Sequence, residues 1–226
     1  MNKIKILDCT LRDGGYYNNW DFPKDLVENY LKAMSKIGLD YIELGFRSFQ
    51  SRDFKGPSWY TTDNYLESLN IPKNLNLGVM VNAFELISHK SGLLNATKLM
   101  FKPAKKSKIK LVRLACHFEE LNKTIKICKI LKNMNYKVTI NLMQISEQSE
   151  EKILSAAKLV SKENLDVLYF ADSLGGMDPS QISNLVKILR TYWKGDLGIH
   201  THNNLGKAIA NSLSAIENGV NWVDCT

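Results

Sequence analysis

Two histidines, His200 and His202, lie two residues apart in the stretch Gly-Ile-His-Thr-His-Asn-Asn at 198–204. If this stretch is a β-strand, both imidazoles project from one face, because side chains alternate along a strand. Two imidazoles held close together on a rigid strand could bind a single divalent metal ion. The alternative is a pair of ordinary histidines at a strand end, which a bare His-x-His pattern would favour. The metal interpretation gains weight because the chain has only four histidines and an apolar run, 197–199, precedes this pair.

A second stretch near the start of the chain offers complementary groups. It has the sequence Leu-Asp-Cys-Thr-Leu-Arg-Asp-Gly-Gly at 7–15. Asp13 can add a carboxylate to the two imidazoles, and Arg12 can add a fixed positive charge. The alternative is a surface ion pair between Arg12 and Asp13, which would contribute little.

Short β-prone runs alternate with longer amphipathic stretches along the whole chain. Most of the runs are apolar enough to be buried on both faces, as parallel strands are. Gly38 is a predicted helix stop, and Asp178 before Pro179 is a predicted N-cap. The predicted strands are 5–9, 41–46, 77–81, 111–116, 138–143, 167–171, 197–200 and 222–225, and the clearest helices are 24–37, 121–134, 150–160, 179–189 and 208–218.

Eight strands with about seven intervening helices predict an α/β fold, the (β/α)8 or TIM barrel. An open doubly wound sheet is the alternative, but no glycine-rich dinucleotide fingerprint follows the first strand. The sequence ends directly after the eighth predicted strand, so the barrel would lack its last helix. We therefore expect residues 1–226 to be a single TIM-barrel catalytic domain, the N-terminal part of a longer protein; the alternative is that another element covers that face.

Functional residues of such barrels collect at the carboxyl ends of the strands. The polar side chains that fall there are Arg12, Asp13, Glu43, His117, Asn141, Gln144, Asp172, Ser173, His200, His202 and Asn203. A merely structural layer would not need this chemistry, so we expect the active site at this end.

The formal net charge of +7 raises the possibility of nucleic-acid binding, which the distribution of charge argues against. Many of the lysines lie in 102–110, where no aromatic residues interleave them as a single-strand groove would require. No apolar run reaches membrane-spanning length and no signal peptide precedes the first strand, which predicts a cytoplasmic protein without a membrane partner. The four separated cysteines predict reduced thiols. The oligomeric state stays open, a homo-oligomer being one alternative.

Four motifs together carry a family resemblance: residues 7–14, Ile-Glu at 42–43, Ala-Asp-Ser-Leu-Gly at 171–175 and His-Thr-His-Asn-Asn-Leu-Gly at 200–206. They resemble the metal-dependent TIM barrels of the HMG-CoA-lyase-like, pyruvate carboxyltransferase family, and most closely its 4-hydroxy-2-oxovalerate aldolase members. The motifs occur in the family's order and span the whole chain.

The resemblance implies a cofactor and its ligands. Asp13, His200 and His202 would bind a divalent metal ion, Mn²⁺ or Mg²⁺ in preference to Zn²⁺, since no thiolate is among the ligands. One carboxylate and two neutral imidazoles would leave a net positive charge and open positions, where a 2-oxo acid could chelate.

The resemblance also implies residues that contact the substrate. Arg12 would stabilise an enolate, and Glu43 and Ser173 would line the substrate pocket together with Arg12 and His200. For Ser173 an alternative is nearly as good: it could simply cap the turn that follows its strand.

The chain departs from the family after Asp-Gly. Aldolases of the group have a histidine there as general base and the synthases have Glu-Gln, whereas this chain has Tyr16 at the position of that histidine. A phenol of ordinary pKa near 10 is a poor base at neutral pH, although it could donate or relay a proton. Tyr16 is therefore a candidate catalytic residue, and the base is not identified.

The resemblance implies an enzyme, a metal-dependent aldolase or oxo-acid lyase that cleaves a 4-hydroxy-2-oxo acid to pyruvate and an aldehyde through a metal-stabilised enolate. One alternative is a Claisen-type acyltransferase like isopropylmalate or homocitrate synthase, which the absence of Glu-Gln disfavours. Another is a non-catalytic barrel that binds a metabolite.

Overall fold

Eight parallel strands form the centre of the computed structural model, which describes residues 3–226. The strands are β1 (Lys5–Asp8), β2 (Tyr41–Phe46), β3 (Leu77–Asn82), β4 (Ile109–Cys116), β5 (Lys137–Leu142), β6 (Val167–Asp172), β7 (Asp196–Thr201) and β8 (Trp222–Cys225). They follow one another around a closed barrel in chain order, and β8 pairs with β1. The α/β class and the (β/α)8 fold predicted from the alternating pattern are confirmed.

Helices connect the strands on the outside of the barrel. They are α1 (Thr10–Gly14), α2 (Lys24–Ile37), α3 (Pro57–Tyr60), α4 (Asp63–Ser68), α5 (Ala83–Ser88), α6 (Leu93–Met100), α7 (Leu121–Asn133), α8 (Glu150–Val160), α9 (Pro179–Tyr192) and α10 (Ala208–Glu217), with 3₁₀ turns at Gly15–Tyr17, Ala104–Lys106, Phe118–Glu120 and Ile145–Glu147. The bounds of α2 and α8 agree with the prediction, and α9 continues to Tyr192 instead of ending at 189. The short helices α3 to α6 were not predicted, because they offer few turns over which an apolar period could be recognised.

Local signals set several helix ends. Gly38 ends α2 in the left-handed conformation, with φ of 76°, which costs glycine little. The Asp178 carboxylate accepts hydrogen bonds from the backbone N–H groups of Ser180 and Gln181, and Pro179 occupies the first turn of α9. Both predicted helix boundaries are confirmed.

The barrel interior is filled by side chains from alternate strand positions. Leu7, Tyr169 and Trp222 are fully buried there and pack together. The Tyr169 ring lies so close to β7 that a Cβ at Gly198 would be 2.4 Å from it, so only glycine leaves room. Because side chains alternate, Asp224 points inward like Trp222, two residues earlier on β8.

No helix within residues 3–226 has both the length and the apolar character that crossing a bilayer requires. The predictions that residues 1–226 are one catalytic domain and part of a longer protein are not tested by this architecture and stay predictions.

Candidate metal and substrate site

The two ends of the chain meet at the carboxyl end of the barrel. Asp13 lies on α1, directly after β1, and His200 lies on β7; β8 separates the two strands and pairs with both. The Nε2 atom of His200 is 3.6 Å from Oδ2 of Asp13. His200 is buried and Asp13 is partly exposed, so the pair is anchored in the protein and accessible from one side.

His202 follows His200 on the same side of β7. The two ring centroids are 5.0 Å apart with an interplanar angle of 83°. Burial and the neighbouring His200 lower the pKa of His202 below its ordinary value, which favours the neutral ring that binds metals. Among residues 3–226, the ligand atoms that lie within 4.8 Å of one another belong to Cys9, Asp13 and His200, so His202 is adjacent to this group and outside it.

Cys9 is a member of this group that the sequence did not indicate as a site residue. Its Sγ atom lies 3.5 Å from Asp13 Oδ2 and 3.4 Å from the Cys225 carbonyl oxygen, and the two oxygens share its one S–H as acceptors. Burial, reinforced by nearby carboxylates, raises the pKa of the Cys9 thiol well above its ordinary value. Cys9 is therefore a protonated hydrogen-bond donor to Asp13. All four cysteines are free, as predicted, and Cys9, Cys116 and Cys128 are buried.

Asp224 on β8 is a further site residue that sequence reasoning missed. Its Oδ2 atom lies 2.9 Å from Nδ1 of His200. Burial would raise the pKa of Asp224, but Arg113 and the hydrogen bond from His200 hold it below its ordinary value. The carboxylate thus takes up Nδ1 of His200 and leaves Nε2 as the ring nitrogen that faces Asp13. Inward alternation along β8, two residues after Trp222, was the signal that could have found it.

Arg12 lies beneath Asp13 and is almost completely buried. Its Nε atom donates to Glu43 Oε1 at 2.7 Å, and its Nη1 atom pairs with Asp13 Oδ1. Burial would lower the pKa of Arg12, but Glu43 and other nearby negative groups raise it above its ordinary value. The Nη2 atom has no hydrogen-bond partner among the described residues. Arg12 therefore keeps its charge and has a donor to spare.

Glu43 was predicted to line the substrate pocket, and its side chain is fully buried below the cleft. One carboxylate oxygen binds Arg12, and the other accepts from Arg113 Nη1 at 3.1 Å. Arg113 also donates to Asp224 Oδ2 at 2.7 Å. In this arrangement Glu43 contacts two guanidinium groups.

Ser173 was the other predicted pocket residue. Its Oγ atom accepts a hydrogen bond from the backbone N–H of Gln144 at 3.1 Å, which ties the loop after β6 to the loop after β5. This contact is structural, and it differs from the cap of the following turn that was the alternative. Contact of Ser173 or Glu43 with substrate stays a prediction.

A cleft of about 830 Å³ opens beside these groups. No lysine or arginine is among the described residues that line it. Its walls come from α1, the 3₁₀ turn Gly15–Tyr17, the end of β7, α10 and β8. The polar side chains that line it are Thr10, Asp13, Tyr16, Tyr17, His200, Thr201, His202, Asn203, Ser212, Asp224 and Thr226, together with Cys225.

Tyr16 lines the cleft, and 67% of its surface is exposed. Partial burial raises the pKa of Tyr16 above its ordinary value of 10, while Arg12 lowers it and Asp13 raises it. The phenol is protonated at neutral pH, so it can donate a proton but is a poor base.

An aromatic cluster occupies the other side of the barrel mouth, over β2 to β5. Trp20 packs against Tyr16, Phe46 and Trp59, with ring centroids 4.7, 5.6 and 4.5 Å apart. Its Nε1 atom donates to the Arg12 carbonyl at 2.8 Å. The cluster therefore supports the α1 backbone that carries Arg12. Its members are Trp20, Phe46, Trp59, Met80, Ala115 and Met143.

Two of the donors, Asp13 and His200, have the spacing that a shared divalent metal ion requires. Two ligand atoms at about 2.1 Å from one ion lie at most about 4.2 Å apart, so a single ion can bridge the 3.6 Å between His200 and Asp13. A metal-binding histidine usually donates its second ring N–H to a carboxylate, as His200 does to Asp224. These residues fit a divalent metal ion.

A family model described as HMGL-like matches residues 96–226. The chain is 31% identical to a 4-hydroxy-2-oxovalerate aldolase of Carboxydothermus hydrogenoformans, a match that covers 99% of this chain and 65% of the relative. A similar aldolase of Pelotomaculum thermopropionicum is 29% identical, with 99% and 64% covered. The chain thus spans just under two thirds of the length of these curated relatives.

A solved structure is similar over nearly the whole chain. The N-terminal domain of a candidate aldolase from Bacteroides vulgatus superposes with a TM-score of 0.84 and 33% identity, over 99% of this chain and 72% of that one. HMG-CoA lyase from Bacillus subtilis superposes with a TM-score of 0.76 at 15% identity, over 99% and 76%, which shows a shared fold.

Proposed function

This chain belongs to the HMGL-like family, and on that premise we propose that its protein is a divalent-metal-dependent aldolase that cleaves a 4-hydroxy-2-oxo acid into pyruvate and an aldehyde. The observation that carries the proposal is that Asp13 contacts two groups at once. Its Oδ2 atom lies 3.6 Å from Nε2 of His200, and its Oδ1 atom pairs with the buried guanidinium of Arg12. These groups offer cation ligation and a fixed positive charge at one place, which cleavage next to a carbonyl requires.

The metal would be held by Asp13, His200 and His202, and Mn²⁺ or Mg²⁺ is the ion we propose. When bound, it would polarise the carbonyl of the 2-oxo acid as a Lewis acid. The cleft beside these residues gives a small substrate access from one side. Asp224 keeps His200 in the tautomer that a ligand needs.

Arg12 would stabilise the enolate that remains when the carbon–carbon bond breaks. Its Nε and Nη1 atoms are occupied by Glu43 and Asp13, and its Nη2 atom is without a partner among the described residues. Arg12 does not line the cleft, so it would act on the developing negative charge through its fixed, buried positive charge, which needs no reorganisation.

Tyr16 would donate or relay a proton at the mouth of the cleft, because its phenol is protonated at neutral pH. Tyr16 occupies the sequence position of the histidine base that the resemblance implies, but the pKa of a phenol is higher than that of an imidazole. The group that removes the proton from the 4-hydroxyl is not assigned to any residue.

The aldolase proposal is favoured over a Claisen-type acyltransferase by the residues that follow Asp13-Gly14, because the Glu-Gln that the resemblance implies for the synthases is absent there. A non-catalytic metabolite-binding barrel would not need the buried, hydrogen-bonded His200.

An assay on the full-length protein tests the proposal. With Mn²⁺ and 4-hydroxy-2-oxovalerate we expect pyruvate release that a chelator abolishes and Mn²⁺ restores. With acetyl-CoA and a 2-oxo acid we expect no release of free CoA. Pyruvate release that continues in the chelator, or CoA release alone, would contradict it. The cytoplasmic location, the absence of nucleic-acid and membrane partners, and the oligomeric state stay predictions.

A further inference from the structure

We propose that Arg113 is a positioning residue for both functional parts of the site. It orients Arg12 through Glu43, and it orients His200 through Asp224. The inference rests on the proposed function, because that function gives Arg12 and His200 their roles. Arg113 lies in the middle of β4, across the barrel from α1, and its side chain is fully buried.

Towards Arg12, the connection consists of two ion pairs that share one carboxylate. Arg113 Nη1 donates to Glu43 Oε2 at 3.1 Å, and Arg12 Nε donates to Glu43 Oε1 at 2.7 Å. Since each oxygen has its own partner, the carboxylate cannot rotate without losing a bond. Arg113 thereby fixes the plane of Glu43, and Glu43 fixes the direction of the Arg12 guanidinium.

Towards His200, the connection runs through a single oxygen. Arg113 Nη2 donates to Asp224 Oδ2 at 2.7 Å, and the same oxygen lies 2.9 Å from His200 Nδ1. Neither Arg113 nor Asp224 is exposed, so the bond from Arg113 fixes the position of the Asp224 carboxylate inside the barrel. The fixed Asp224 in turn keeps the His200 ring turned with Nε2 towards Asp13.

Only arginine suits this position. Its two terminal nitrogens reach carboxylates on β2 and β8 at once, and its guanidinium plane lies over the Tyr169 ring, 4.3 Å from the centroid. The ammonium of lysine is a single point on a flexible stem, so it would not reproduce both bonds. Arg113→Lys therefore keeps the buried charge while breaking the bridge.

The experiment compares Arg113→Lys with Thr139→Val in the full-length protein. Thr139 is the register partner of Arg113 on β5, is also fully buried, and has a hydroxyl without a partner among the described residues. NMR of the ¹⁵N-labelled protein follows the His200 ring nitrogens and the Arg12 Nε–H, and Mn²⁺ titration and kcat are measured well below the Tm of each variant.

For Arg113→Lys we expect shifted His200 and Arg12 signals and a loss of about 10- to 100-fold in Mn²⁺ affinity or kcat, the usual effect of removing a group behind a metal ligand. Thr139→Val should leave all of these unchanged. If Arg113→Lys does not fold, a double variant with Arg113→Met and Glu43→Gln replaces it. This variant removes one charge of each sign, and we expect the same loss of Mn²⁺ affinity or kcat.

Unchanged NMR signals, Mn²⁺ affinity and kcat in the folded Arg113 variant would overturn the positioning role, even if its Tm falls. A wild-type protein that binds no Mn²⁺ and releases no pyruvate would instead overturn the proposed function. The NMR comparison alone would then decide whether Arg113 orients Arg12 and His200.

Discussion

The barrel mouth has two halves that differ in chemistry and in construction. The half over β7, β8, β1 and β2 holds acidic, basic and imidazole side chains such as Asp13, His200 and Asp224, which ion pairs and hydrogen bonds keep in place. The half over β2 to β5 holds Trp20, Trp59 and their apolar neighbours, in contact through ring faces and edges. Ion pairs and hydrogen bonds therefore hold the first half, and packing of apolar side chains holds the second.

A substitution has different effects in the two halves, because directional bonds hold one half and packing holds the other. In the ionic half a lost partner leaves a buried charge unpaired and moves the groups that do chemistry. In the aromatic half a lost ring leaves a void that costs stability but changes no charge. Trp20 connects the halves, because its Nε1 atom bonds the Arg12 carbonyl. We therefore expect turnover to depend on the ionic half and stability on the aromatic half.

The largest effect on turnover should come from the proposed metal ligands. Asp13→Asn or His200→Ala should lower kcat by about 10³-fold or more and weaken Mn²⁺ binding, because the site loses a ligand and with it the Lewis acid. Steady-state pyruvate release and Mn²⁺ titration measure both. His117→Ala, which changes an exposed histidine at another strand end, is the matched control. Normal turnover in either ligand variant would remove that residue from the site.

A smaller effect is expected for Arg12→Ala. Loss of one donor to a developing negative charge typically costs about 10²-fold in kcat. Mn²⁺ should still bind, because Asp13 and His200 remain. Arg52→Ala, at an exposed arginine, controls for loss of charge. An unaltered kcat would show that Arg12 is only structural.

Tyr16→Phe should lower kcat by about 10-fold, less than the 10²- to 10⁴-fold typical of a fully positioned proton donor, because water can reach this exposed residue. Since burial raises the pKa of Tyr16 above 10, the group stays protonated between pH 6 and pH 9. The kcat ratio of wild type to variant should therefore be constant over that range. A ratio that changes with a midpoint near neutrality would show that Tyr16 acts as a base. Tyr192→Phe on α9 serves as the control.

The smallest effect on turnover is expected in the aromatic half. Trp59→Ala should lower the free energy of unfolding by about 2 kcal/mol, below the ~3–5 kcal/mol of a fully buried tryptophan, and change kcat less than about threefold. Chemical denaturation and the pyruvate assay measure the two quantities. Phe54→Ala, at an exposed ring, should change neither. A large loss of kcat in Trp59→Ala would mean that the aromatic half also contacts the substrate.

The sequence was sufficient for the barrel and for the pairing of the chain's two ends. Strands buried on both faces have an unmistakable composition, and the caps at Asp178 and Gly38 mark helix ends locally. It was insufficient for the helices α3 to α6. Their turns are short, and tertiary contacts rather than an apolar period keep them in place.

By itself, the sequence determined which residues stand at strand ends and which faces they share, because alternation and strand length follow from residue types nearby in the chain. Only the tertiary structure decided that Glu43 is tied to two arginines and that Asp224 orients His200. The contacts of Glu43 join residues 31 and 70 positions apart, and those of Asp224 join residues 24 and 111 positions apart. Burial makes each charge depend on its partner, and which partner it meets is a property of strand register in three dimensions.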